Sequence, residues 1–163
     1  MYTLTGVDVK HDTFRAKTVW TGDRGEGTRS YRGYDRTWQI VTPGKPQVEC
    51  SNDPALGGDP AKHNPEDLLI ASLSACHMLW YLHLAHRAGI VVRGYEDEPV
   101  GQGETGPRGE GRFVEAVLRP TIKVEAGADL AVADAIHHEV HEYCFIARSV
   151  NFPVRYEATY VEV

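Results

Sequence analysis

The chain is poor in cysteine and has no excess of positive charge, and each shortage excludes a class of protein. Cys50, Cys76 and Cys144 form an odd set in 163 residues, too sparse for the disulfide scaffold of a small secreted domain. Lysine and arginine number 17 against 23 aspartates and glutamates, a formal charge of −6. The chain therefore lacks the composition of an electrostatic nucleic-acid binder, which needs a basic face. No early stretch joins basic residues, an apolar run and a small-residue cleavage site, so no secretory signal is expected. The glycine-punctuated residues 21–27 carry neither the lysine–hydroxyl pair of a phosphate loop nor the dinucleotide spacing. There is no repeat, linker or low-complexity tract. These absences point to one domain over residues 1–163 and to a cytoplasmic location. In that compartment paired cysteines more often mean catalysis, redox sensing or metal than a static staple.

What the chain does have is one long apolar helix. Asn64 suits an N-cap, Pro65 the first helical position, and Glu66 with Asp67 the positive end of the helix dipole. Gly89 can close the helix in a left-handed conformation, with Ile90 packing back on it. Between them, apolar residues from Leu68 to Ala85 go almost all the way round. A helix without a polar face is either buried on every side or in lipid. The span approaches bilayer length, but Ser72, Ser74, His77, His83 and the carboxylates at its start argue for a central helix wrapped by protein, not membrane. Cys76 sits in its middle.

Around this helix, residues 2–9 read as a strand. Residues 13–20 read as another, in which Phe14, Ala16, Thr18 and Trp20 alternate with polar neighbours. A third runs near residues 37–41. Residues 43–63 read as loop, Cys50 included. Residues 91–103 are extended and lead into a glycine-rich turn through Gly111. Residues 113–125 are extended again, with Pro120 marking an edge or a bulge. Residues 129–144 form a second helix with a stripe of Val132, Ile136, Val140 and Tyr143, and Cys144 lies at its end. Residues 154–160 alternate as a final strand. Strand pairs flanking two helices make an α+β fold with antiparallel sheet.

Cys76 and Cys144 belong to the two helices that must pack centrally, a placement that suits a dithiol–disulfide couple and equally suits two small core residues. A reactive thiolate needs a nearby cation. Arg24 is a candidate, with Arg29, Arg32 and Arg36 as rivals on the same segment. Glu66 lies ten residues before Cys76, about 15 Å of helical rise. It cannot touch that thiol unless the helix bends, so a shared site requires a second subunit or a bridging arginine. A rival set is Cys76 with His137, His141 and Cys144, the last three at i, i+4 and i+7, which could hold zinc. His77, His83 and His86 read as packing or surface residues. Without a metal, His137 and His141 read as solvated histidines on the helix face.

Residues 64–69 (Asn-Pro-Glu-Asp-Leu-Leu) running into Ser74-Ala75-Cys76 resemble the signature of the OsmC/Ohr family of thiol-dependent peroxidases. Residues 20–28 resemble that family's arginine segment, and Cys144 stands where it keeps a second cysteine. The resemblance implies antiparallel sheets around two long central helices, in an intertwined homodimer with sites built from both subunits. It implies Cys76 as the peroxidatic and Cys144 as the resolving cysteine. Arg24 would stabilise the thiolate and Glu66 would hold Arg24. The implied substrate is an organic hydroperoxide, and the implied reductant an external thiol or a lipoyl-type dithiol, with no cofactor. His77 after Cys76 and Phe145 after Cys144 depart from the common pattern. The alternatives are a small-ligand binding module of the same fold and the zinc site.

Overall fold

The computed structural model describes residues 10–163; the strand expected at residues 2–9 lies outside them. The chain divides into two compact units, residues 1–65 and 66–163. In the first, β1 (Lys17–Trp20), β2 (Trp38–Val41) and β3 (Val48–Cys50) form an antiparallel sheet in the order β1-β2-β3. Trp20 pairs with Trp38, and Trp38 with Cys50. Cys50 is thus a strand residue, fully buried, and not the loop residue its Pro- and Gly-rich surroundings suggest. The strand at residues 13–20 is shorter than expected, and its apolar set is not inside: Phe14 is 75% and Trp20 45% exposed. Alternation reported strand geometry there without reporting burial.

In the second unit, α1 (Pro65–Arg87) carries Glu66 and Asp67 in its first turn. Gly89 closes it at φ +76°, with the Ile90 amide bonded to the Ala85 carbonyl at 2.9 Å. Residues Ile70, Leu73, His77, Tyr81, Leu84 and Ala85 are buried, a single stripe at helical period. The opposite face is open, with Ala71 and Ala75 exposed and Leu79 63% exposed. The expectation of a helix wrapped on every side fails within one chain, because an all-round apolar composition does not say which partner covers which face. By length and composition α1 could cross a membrane, and a third of its most apolar window is buried within the protein.

Asp129 caps α2 (Leu130–Tyr143), its carboxylate accepting from the amides of Ala131 and Val132 at 3.0 and 3.1 Å. Its buried residues are Ala133, Ile136, His137 and Val140. The predicted stripe is therefore turned by part of a step: Val132 and Tyr143 lie at its margins, 39% and 41% exposed. Tyr81 ties the helices together by donating its hydroxyl to the Ala133 carbonyl at 3.1 Å.

Six strands complete the unit. The stretches expected as single strands are each bent in two: β4 (Val92–Asp97) and β5 (Val100–Thr105), β6 (Gly111–Leu118) and β7 (Pro120–Val124), β8 (Val154–Tyr156) and β9 (Thr159–Glu162). Each bent stretch gives one half to each of two sheets, β4-β7-β9 and β5-β6-β8. The bend line is stapled by Arg119, whose amide donates to Asp97 at 2.6 Å and whose Nε meets Glu157 at 3.0 Å. Pro120 is no edge residue; it opens the central strand β7, the strand position that tolerates a missing N–H. The sheets are also mixed, since β6–β8 and β7–β9 pair in parallel. The chain returns to them through α2, and side-chain alternation carries no information about strand direction.

Candidate functional site

The two helices bring Cys76 and Cys144 together. Cys144 is the C-cap of α2 and fully buried; Cys76 is half-buried on α1 and packs against the same cluster. Both are free thiols, and Cys76 is near enough to act on the titration of Cys144. Burial, then the neighbouring Cys76 thiol, pushes the Cys144 thiol up to about 11, against the opposing pull of backbone bonds from Ala147 and Ile146. The Ala147 amide donates to Cys144 Sγ at 3.4 Å. Neighbouring thiols on two packed helices are candidates for an S–S bond of ~2.05 Å. One turn after Cys76, the Trp80 ring stacks on Tyr143 at 4.9 Å. Leu79 and Phe145, 63% and 60% exposed, extend this apolar border. The stacked Trp80–Tyr143 pair went unremarked in the sequence, although a tryptophan four residues after a cysteine on a helix must lie beside it.

Glu66 stands exposed in the first turn of α1, about 15 Å of helical rise before Cys76. Arg24 belongs to the other unit. There the Asp23 carboxylate accepts from the amides of Gly25 and Gly27 at 2.8 and 2.9 Å, and these bonds hold its pKa below the usual carboxylate range. Arg24 itself donates to the Arg32 carbonyl, its Nε lies 3.7 Å from Asp35, and its side chain is 52% exposed. Of the rivals, Arg29 meets Glu26 at 3.1 Å. Arg36 lies over the rings of Tyr31 and Tyr34 at 4.4 and 4.5 Å and donates to their carbonyls at 2.7 and 2.8 Å. Arg36 thus organises the loop, and Arg24 keeps the more exposed head.

The zinc alternative asked Cys76, His137, His141 and Cys144 to converge. They divide instead: Cys144 meets Cys76, while His137 pairs with His77, Nδ1 to Nε2 at 2.7 Å. Among the described residues no three His, Cys, Asp or Glu side chains are grouped to hold a metal ion. His137 is not a solvated helix-face residue. It is 1% exposed and stacked between the rings of Tyr81 and Tyr156 at 4.5 and 4.4 Å. Burial, then the neighbouring histidines, lowers His137 to about 3 and His77 to about 4, so both imidazoles are neutral at pH 7. Placing the α2 stripe on Ala133 and His137 would have revealed this pair.

A family model described as OsmC-like protein matches residues 57–158. An OsmC-like protein of unknown function from Vibrio cholerae shares the fold at TM-score 0.82 and 28% identity, over 91% of this chain and 99% of its own. An organic hydroperoxide resistance protein from Legionella pneumophila matches at TM-score 0.64 and 18% identity, over 94% of this chain and 100% of its own. One from Elizabethkingia anophelis, with thiocyanate bound, matches at TM-score 0.64 and 17% identity, over 94% and 100%. No curated protein sequence matches significantly.

Proposed function

The chain belongs to the OsmC-like protein family, and from that premise we propose that it is a thiol peroxidase acting on organic hydroperoxides. The observation that carries this reading is the meeting of two free thiols, Cys76 and Cys144, from two separate helices. Two solved relatives named for organic hydroperoxide resistance point the same way. Cys76, the more exposed of the two, attacks. Its thiolate displaces ROH from ROOH, taking one oxygen and leaving a sulfenic acid once a proton is supplied. The Cys144 thiol then condenses with that sulfenic acid, forming the disulfide and releasing water. An external dithiol, such as a lipoyl-type carrier, restores both thiols and leaves as its own disulfide. No metal or haem enters the cycle. The aromatic and aliphatic border of Trp80, Tyr143 and Leu79 favours an organic peroxide over hydrogen peroxide.

In this reading Arg24 stabilises the Cys76 thiolate and Glu66 orients Arg24, across two chains of a homodimer. The open apolar face of α1 supports that assembly, since a soluble helix does not leave such a face to water without a partner. Both units then act as one domain, in the cytoplasm. The test is stoichiometric addition of cumene hydroperoxide to the reduced protein, followed by non-reducing peptide mapping. A Cys76–Cys144 disulfide is expected within seconds. Cys76→Ser should abolish turnover, and Cys144→Ser should spare the first oxidation while blocking recycling. Free thiols after peroxide, or equal activity in all three proteins, would remove the reading.

A further inference from the structure

A cavity of about 560 Å³ in the 66–163 unit is separate in its lining from the two thiols: His77 and His137 of the helices, His138 and His141 of α2, and Arg155 and Tyr156 of β8 form most of it. That volume falls in the range of small-molecule sites. Its chemistry is one-sided. In a chain of net charge −6, four imidazoles and a guanidinium line it, and no aspartate or glutamate does.

The donors are partly spent and partly open. His138 Nε2 is engaged by the Tyr156 hydroxyl at 3.0 Å, and one arm of Arg155 pairs with Glu115. A guanidinium has five N–H donors in a planar fork, so Arg155 keeps others. His137 Nε2 is buried without a hydrogen-bond partner. Because His77 and His137 share one hydrogen bond, whichever ring donates in it, His137 Nε2 takes the complementary role. It can therefore meet either an oxygen acceptor or a hydroxyl. Leu118 and Val154 supply the apolar part of the wall. Asp134, the carboxylate whose charge is felt at Tyr156, does not line the cavity.

We propose that this cavity binds a small organic carboxylate, with the carboxylate on Arg155 and His141 and the apolar body against Leu118, Val154 and the Tyr156 ring. A planar carboxylate matches the guanidinium fork better than a point anion does. The site does not rest on the peroxidase reading, because neither thiol lines it.

The experiment is calorimetric titration of the reduced full-length protein with benzoate, and in parallel with inorganic phosphate. One saturable benzoate site per chain is expected, with phosphate at least tenfold weaker. Affinity should fall at least tenfold in Arg155→Gln and in His141→Leu, both exposed positions, and be unchanged in Cys76→Ser. No saturation in the millimolar range, equal binding of phosphate, or indifference to both substitutions would overturn the proposal. So would protection of His138 and His141 by a second copy of the chain. Loss of peroxidase activity in Cys76→Ser with benzoate binding intact separates this site from the thiol chemistry.

Discussion

The His77–His137 pair makes stability depend on pH in a way that can be calculated. Both imidazoles are neutral in the folded protein, lowered to about 4 and about 3, and 6% and 1% exposed. In the unfolded chain each regains the ordinary value of ~6.5. Between these values the unfolded state binds more protons, so stability is fully present above pH 6.5 and falls as the pH drops. Between pH 7 and pH 5 the folded imidazoles stay almost wholly neutral, so the loss comes from protonation of the unfolded chain: about 1.4 pH units at ~1.36 kcal/mol for each of two groups, about 4 kcal/mol in all. That is a large part of the 5–15 kcal/mol typical of a domain. Geometry supports neutrality independently, since two charged rings could not share the 2.7 Å hydrogen bond: both nitrogens would be donors. The assay is urea unfolding at several pH values from 7 to 5, on wild type and on the double variant His77→Leu/His137→Phe, whose phenyl keeps the stack with Tyr81 and Tyr156. Wild type should take up close to two protons on unfolding near pH 5.5, and the variant should lose that uptake whatever its absolute stability. An uptake below one proton, or the same slope in the variant, would refute the reasoning.

Two further outcomes are expected. With its thiol pushed up to about 11, Cys144 is ionised about a hundredfold less at pH 8 than a thiol near 9. Iodoacetamide should therefore label it at least a hundredfold more slowly in the reduced native protein than after unfolding; mass spectrometry showing a difference under tenfold would contradict this. Leu79→Glu places a charge on the open face of α1 and should convert the proposed dimer to monomer in light scattering, with helix content retained; a dimer in both proteins would exclude that face from the interface, and a monomeric wild type would remove the dimer.

Local signals in this chain were legible where one residue's chemistry settles the matter. Asp129 announces the start of α2, Gly89 the end of α1, and the two cysteines the meeting of the helices. What depends on three-dimensional neighbours was not legible. Which face of α1 is buried cannot be read from a helix apolar all round, and His77 looks like any other histidine until His137 is seen beside it. The strand bends escaped because Pro99, Arg119 and residues 157–158 interrupt pairing without interrupting alternation. Cys50 read as loop because glycine and proline crowd the residues around a strand only three residues long. Residue chemistry made Arg24 one of four candidate arginines and Glu66 a helix-start carboxylate; only the resemblance joins the two, and their partnership belongs to the dimer proposed above.

The parallel pairing of the last two strands has a consequence for the order of folding. β8 and β9 lie beside β6 and β7, across the whole of α2. Contacts so distant in sequence form late, because the loop must be closed before they contribute. Until residues 154–162 leave the ribosome, β6 and β7 each offer an unpaired edge, a ready template for another nascent chain. A truncation of only ten residues at the C-terminus would thus cost more than its length suggests: it would leave β7 without its parallel neighbour and turn a folding chain into an aggregating one.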